Sequence, residues 1–331
     1  MEQRTLGRTG RPVSVVGLGT WQLGADWGDV SETDAQAVLA ASVDAGVTFF
    51  DTADVYGDGR SETLIGRFLA DRPDAGVTVA TKMGRRVEQV PEHYVLDNFR
   101  AWTERSRRNL GVDTLDLVQL HCPPTSVYSD DAVYDALDTL VDEGAVAAYG
   151  VSVEKVEEAL AAIARPHVAT VQIIANAFRL KPLEKVFPAA ADAGVGVIVR
   201  VPLASGLLSG KYDAGTTFAD DDHRSYNRDG SAFDVGETFS GVDYATGLVA
   251  AGEFGALVAA EAPSGTTSAQ AAIAWLCQQP AVSSVIPGAR TIEQALGNAR
   301  AGTLGPLGGS FDSGVRRIYD EHLRASIHPR W

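Results

Sequence analysis

The sequence predicts a single α/β domain spanning residues 1–331, folded as a (β/α)8 barrel, and two observations carry that reading. Eight short runs rich in Val, Ile, Leu and Phe, of the length of buried strands, recur along the chain. Between them lie segments with apolar residues three and four apart, and strands alternating with helices make a parallel sheet that eight members can close. The alternative is an open doubly wound sheet. Such a sheet usually announces its dinucleotide site with a third glycine in the turn after the first strand, which Gly17-Leu18-Gly19-Thr20 lacks in place.

The chain opens as a hairpin, with Gln3 to Leu6 as one arm, a turn from Gly7 to Gly10, and a second arm from Arg11 into Gly19. The predicted barrel strands are 15–18, 47–50, 77–80, 115–120, 146–151, 169–174, 196–199 and 283–286. Leu64, Ile65, Phe68 and Leu69 mark a helix face, and Ser31 and Ser61, each followed by Glu, read as N-caps. Residues 205–246, rich in Gly, Asp and Phe, and the tail from about 303 break the rhythm. A connection as long as 205–246 is expected to fold over a ligand.

With 45% hydrophobic and 21% charged residues the chain can bury a large core, and its apolar runs are too interrupted for a membrane span. A formal net charge of −15 with no cluster of Lys or Arg excludes a nucleic-acid or anionic-membrane surface as the expectation. The first ten residues carry charge and glycine where a secretory signal needs an apolar run. The two cysteines, Cys122 and Cys277, are too few for a disulfide framework, so a cytoplasmic location is expected. No metal site is expected.

In a barrel the active site forms at the C-terminal ends of the strands, so the polar residues that end apolar runs are the informative ones. The second strand leads to Asp51 and then Tyr56, the third to Lys82 and the fourth to His121. Carbonyl reduction needs a hydride on carbon and a proton on oxygen in one event, and Tyr56 is suited to give the proton. A free phenol, with a pKa of about 10, is a poor acid at neutral pH. Lys82 nearby would lower that value, Asp51 would pair with Lys82, and His121 would orient the carbonyl oxygen. Taken singly, each is more often a surface lysine, a cap or a structural imidazole. On three consecutive strand ends the four point to chemistry as a set. Cys122 reads as a small buried residue without a role.

The motifs GLGTWQLG, DTADVYGDGRSETLIG, ATK, LVQLH, YGVS, VPLASGLLSGKY and VIPGARTIEQALGN follow one another in an order and spacing that resembles the aldo-keto reductase superfamily, from about Arg4 to Arg324. The resemblance implies the same four catalytic residues, Asp51, Tyr56, Lys82 and His121, and NADP(H) as cofactor. It implies Gly19, Thr20, Trp21 and Asp51 on the nicotinamide side, and Ser152 and Gln172 at the carboxamide. Arg200, Pro202, Leu203, Ser205, Gly206, Leu208, Ser209 and Lys211 would run along the pyrophosphate. Gly288, Arg290, Gln294 and Asn298 would line the adenosine end, where the Arg290 fork suits a 2′-phosphate. Read alone, Ser152, Gln172 and Asn298 are caps or buried amides. Trp21, Trp27, Tyr56 and His121 are the expected substrate wall.

The chain departs from the family pattern at four places. Arg200 stands where many relatives stack an aromatic ring on the nicotinamide. Val153 and Ala175 stand where Asn or Arg and Tyr are common, and Gly288 replaces a lysine that several branches use for the 2′-phosphate. The leading function is NADP(H)-dependent reduction of a small aldehyde or ketone. The alternatives are a cofactor-sensing subunit like the potassium-channel β-subunits and a sugar reductase of narrow specificity. No heptad or apolar stripe fixes an oligomeric state.

Overall fold

In the computed structural model, which describes residues 1–24, 30–232 and 235–331, eight parallel strands form one sheet in sequence order. A hairpin of β1 (Gln3–Thr5) and β2 (Pro12–Ser14) precedes them. The barrel strands are β3 (Leu18–Gly19), β4 (Phe49–Asp51), β5 (Thr78–Met83), β6 (Leu117–His121), β7 (Tyr149–Val153), β8 (Thr170–Ile174), β9 (Gly196–Arg200) and β10 (Val282–Val285). Between β10 and β3 the sheet closes through Gly17 N to Val285 O (2.8 Å), Gly19 N to Pro287 O (3.1 Å) and bridges that pair Val16 with Val285 and Gly19 with Gly288.

Each predicted strand overlaps a real one, but most end later than the hydrophobic runs. Strand β5 reaches Met83 rather than residue 80, β7 reaches Val153 rather than 151, and β9 reaches Arg200. The ladder, not hydrophobicity, sets these ends: Lys82 lies opposite Gln119, Ser152 opposite Gln172, and Ile174 opposite Arg200. The first run shrinks to two residues, because residues 15–17 close the barrel by single bonds only.

Pleating sorts the strands into layers. Phe49, Ala80, Leu117, Ile198 and Ile286 form an apolar cluster inside the barrel, with Leu6 and Val13 of the hairpin plugging its floor. Two residues further along the same strands come Asp51, Lys82, Gln119 and Arg200, so the next inward layer is polar. The alternate residues, among them Phe50, Val79, Val118, Val171 and Val199, pack outward against the helices in the main core. At the floor Gly7 (φ 48°) lies so close to Gly196 N and Ala169 O that a β-carbon could not be accommodated. Arg8 pins the same end by donating to the carbonyls of Arg165, Pro166, Val168 and Ala193 at 2.8 to 3.0 Å.

The helices α1 (Glu32–Asp44), α2 (Arg60–Asp71), α3 (Leu96–Leu110), α4 (Asp131–Asp142), α5 (Val156–Ile163) and α6 (Lys181–Ala193) connect the strands up to β9. Ser31 caps α1 as expected, accepting from Asp34 N. Ser61 does not cap α2. Gly59 holds that position, and the Ser61 hydroxyl turns inward to Thr20 Oγ1 (2.8 Å) and accepts from Thr52 (2.9 Å), tying the helix start to the barrel rim. Leu64, Ile65 and Phe68 are buried beneath it.

After β9 the chain makes a long excursion containing α7 (His223–Tyr226) and α8 (Tyr244–Glu261), then returns through α9 (Ser268–Cys277) to β10 and α10 (Ile292–Ala301). The tail forms α11 (Gly308–His322), which packs on α8. Among the described residues no helix is long and apolar enough to cross a membrane.

Candidate active site

A cleft of roughly 1040 Å³ opens at the C-terminal ends of the strands. All seven non-glycine residues with positive φ among those described lie on loops at this end: Asp58, Cys122, Val201, Ala204, Ser205, Phe239 and Ser240. Val201, at φ 54°, is β-branched, a costly conformation that only a rigid surround maintains. Of the seven, Val201 and Ser205 line the cleft itself.

The four residues from the strand ends meet there. Lys82, buried inside β5, makes an ion pair with Asp51 Oδ1 and donates to Thr52 O (2.9 Å) and to the Tyr56 hydroxyl (3.3 Å). His121 ends β6 with its ring edge-on to Tyr56, centroids 5.9 Å apart. Burial, with Arg85, Lys82 and Arg200 nearby, holds the His121 imidazole well below its usual range, so it stays neutral at physiological pH. Lys82 is the opposite case: burial disfavours its ammonium, but Asp51 and the Tyr56 oxygen outweigh that and hold it above its usual range.

Tyr56 corrects one expectation. Lys82 does favour its phenolate, but burial, helped by Asp51 and Glu237, exceeds that pull and raises the phenol above 10. Low dielectric penalises a charged oxygen more than one hydrogen-bonded ammonium can repay. The hydroxyl therefore keeps its proton. The turn after it is left-handed through Gly57, Asp58 and Gly59, and Gly57 presses on Gly24 O where a β-carbon has no room.

Asp51 has two partners that the strand-end reading missed as such. Its second oxygen accepts from Gln172 Nε2 (2.7 Å) and Gln119 Nε2 (3.1 Å). Gln119 escaped notice because it does not end a run. The signal was the period of two in β6, which places Leu117, Gln119 and His121 on one face. Gln172 thus acts as a buried amide, as its isolated reading suggested, and also lines the cleft.

Trp21 forms the outer wall, stacked on Tyr56 with centroids 6.0 Å apart and 5.7 Å from the His223 ring. His223, on α7, is a wall residue without a sequence signal, because it lies in the long excursion after β9. Trp27 lies outside the described residues.

The remaining cofactor candidates divide. Gly19, Thr20, Gln172, Arg200, Pro202, Leu203, Ser205, Gly206, Ser209, Lys211, Gly288, Arg290, Gln294 and Asn298 all line the cleft. Ser152 and Leu208 do not: both are buried, and the Ser152 carbonyl accepts from Tyr128 (2.8 Å) and from Cys122 N (3.1 Å). Cys122 is only half-buried, with Arg200 Nη2 3.6 Å from its sulfur. Asn298 donates to Gly288 O (3.1 Å), and the Gln294 side chain accepts from Arg290 N (2.8 Å), shaping the turn into α10.

Arg200 is held in place by Glu154 (2.5 Å), Glu237 and the Val153 carbonyl (3.0 Å). Glu237 belongs to the 205–246 excursion, whose backbone is fastened to Ser205 by Ser205 Oγ to Glu237 O (2.7 Å) and Phe239 N to Ser205 Oγ (2.9 Å). Asn176 adds a bond to Ser240 (2.7 Å). The excursion forms one side of the cleft, through Tyr212, His223, Arg224 and Glu237.

The cleft suits a long, anionic, ring-bearing molecule. Small residues at Gly19, Ser205, Gly206 and Gly288 let a ligand approach backbone, Lys211 and Arg290 supply positive charge on the loops after β9 and β10, and the four titratable residues stand on the β4 to β6 side.

Comparison with known proteins agrees with this geometry. The model of the Aldo/keto reductase family matches residues 15–310. A probable voltage-gated potassium channel subunit beta from Oryza sativa is 32% identical, over 93% of each chain. The glycerol dehydrogenase of Gluconobacter oxydans superposes with a TM-score of 0.79 at 29% identity, covering 97% of this chain and 96% of its own. An aldo-keto reductase from Klebsiella pneumoniae, solved in complex with NADPH, gives a TM-score of 0.70 at 25% identity over 96% of both chains.

Proposed function

Since the chain belongs to the aldo/keto reductase family, we propose that it reduces an aldehyde or ketone at the expense of NADPH, with Tyr56 as the proton donor. The observation that carries this reading is the hydrogen-bonded series Asp51, Lys82, Tyr56, with neutral His121 against the same phenol.

The cofactor, when bound, supplies the hydride. Tyr56 places its hydroxyl at the mouth of the barrel and gives its proton to the carbonyl oxygen. The phenolate left behind sits 3.3 Å from the Lys82 ammonium, which offsets its burial at the moment of transfer. Asp51 keeps Lys82 charged, and the two glutamines keep Asp51 oriented. Neutral His121 is placed to hydrogen-bond the substrate oxygen without competing as an acid. Trp21 and His223 close the site on the solvent side. Gly19, Ser205, Gly206, Lys211 and Arg290 would hold the dinucleotide, with Arg290 at the 2′-phosphate.

The test is a fluorescence titration with NADPH and NADH, followed by absorbance-monitored NADPH oxidation with a panel of aldehydes and ketones. Tight NADPH binding with turnover supports the reading. Binding without turnover of any carbonyl would favour the regulatory role that the name of the rice relative suggests. Arg290→Ala is expected to weaken NADPH about tenfold to a hundredfold, the worth of a charged hydrogen-bond pair, and NADH less than about twofold. Equal losses for both cofactors would move the 2′-phosphate elsewhere.

A further inference from the structure

Asp54 lies between Asp51 and Tyr56 and has no place in the scheme above. Its side chain is fully buried, and neither carboxylate oxygen has a well-aligned hydrogen-bond partner, the neighbouring Val55 amide giving it only a weak backbone contact. A buried ionised carboxylate with so few donors is costly, so burial favours the uncharged acid here. Its backbone is well held: the amide donates to Lys82 O (3.1 Å), and the carbonyl accepts from Arg105 Nη1 (3.1 Å) and Arg86 Nη1 (3.3 Å).

The charged groups around it come from each neighbouring element. From α2 comes Glu62, whose carboxylate is occupied by Thr81 (2.6 Å) and Asn109 (2.8 Å). From α3 comes Arg105, and from the segment after β5 come Arg86 and the Tyr94 phenol. Lys82 of β5 offers Asp54 only its carbonyl. Both guanidiniums are instead committed to Asp58: Arg86 Nη1 at 2.5 Å and Arg105 Nη2 at 2.8 Å from Oδ1, with Arg105 also donating to Asp58 O (2.6 Å). Two arginines thus clamp the left-handed turn at Gly57 to Gly59 that follows Tyr56. Burial, reinforced by Glu62, raises the Asp54 carboxyl to about 7 against the pull of Arg86 and Arg105, while hydrogen bonds from Arg86 and attraction to both arginines keep Asp58 below the usual carboxylate range.

We propose that Asp54 is a proton-coupled positioning residue: protonated, it leaves Arg86 and Arg105 to clamp the Tyr56 turn through Asp58, and ionised, it competes for those guanidiniums and loosens the turn. The link to turnover rests on Tyr56 being the proton donor; the titration itself does not.

The sign follows from linkage. An acid whose folded pKa lies above its unfolded value of about 3.9 holds a proton that the unfolded chain has released, so stability falls as pH rises toward the folded value. Wild type and Asp54→Asn are compared by melting temperature, and by kcat with saturating NADPH and aldehyde, from about pH 5.5 to about pH 8.5. Wild type is expected to lose several degrees of melting temperature as pH rises from about 5.5 to about 7 and to level off above that, and to lose several-fold in kcat as pH passes about 7, and the variant to show neither change. Asp58→Asn, an exposed change that frees both guanidiniums, should move the wild-type midpoint to lower pH.

Identical pH curves for wild type and Asp54→Asn overturn the proposal. So does a melting temperature that falls up to about pH 7 and then levels off while kcat stays flat, which would uncouple Asp54 from Tyr56. If the Asn variant does not fold, carbon-13 carboxyl spectra of aspartate-labelled wild type decide. One aspartate titrating near 7 supports the proposal, and titration of all aspartates below about pH 5 sinks it. Absence of any carbonyl turnover in wild type would count against the reductase reading alone, since the melting and carboxyl measurements do not need it.

Discussion

Tyr56→Phe is expected to lower kcat for carbonyl reduction by about 10²- to 10⁴-fold, the usual worth of a positioned general acid, while NADPH binding changes less than about twofold. The substitution deletes one oxygen and little volume. The stacking on Trp21 and the edge contact with His121 involve the ring and survive. What is lost is the hydroxyl that Lys82 supports at 3.3 Å. Stopped-flow or steady-state NADPH oxidation with a good aldehyde substrate, alongside the binding titration, separates the two quantities. A variant that kept full activity would place the proton donor elsewhere, with His121 the next group in reach of the cleft. Because burial keeps the wild-type phenol above 10, the acid form of Tyr56 persists across the neutral range, and no loss of reduction below about pH 9 is to be assigned to its ionisation.

Lys82→Met should be the most damaging change to stability in the site. The Lys82 and Asp51 side chains are 1% and 4% exposed, and removing the ammonium leaves the Asp51 carboxylate buried with, among the described residues, the two glutamine amides as its side-chain donors. Breaking such a pair from one side costs about 3–5 kcal/mol, whereas replacing both members can be nearly neutral. Chemical denaturation should therefore show a loss of that size for Lys82→Met and recovery of most of it in Lys82→Met with Asp51→Asn, although both remain inactive. If the double variant is no more stable than the single one, the cost lies in packing around the lysine stem and not in the uncompensated charge.

Much of this protein could be read in advance, element by element. The eight apolar runs located all eight strands, because a parallel strand buried on both faces must be almost continuously hydrophobic. The polar residues that end those runs located Asp51, Lys82 and His121, because three such residues on consecutive strand ends fall together on one rim of a barrel. Tyr56 came with them through its place in the DTADVY segment. The strand limits were misjudged where polar residues continue the ladder, as at Ser152 and Arg200, since hydrogen bonding between backbones is indifferent to side-chain polarity.

What the sequence determined by itself is the periodic part: strand and helix order, the hairpin, and the set of groups at the strand ends. These depend on residues close together in the chain, whose spacing fixes which face they occupy. Only the tertiary structure decided the rest. Ser61 serves the rim and not a helix cap, Glu237 reaches Arg200 across 37 residues of an irregular excursion, and Gln172 meets Asp51 across 121. The direction of the Tyr56 shift belongs here too, because it is the difference between a burial penalty and a lysine's attraction. Both sizes depend on how much water the closed barrel excludes, and solvent exclusion is a property of packing between distant segments that no local pattern encodes.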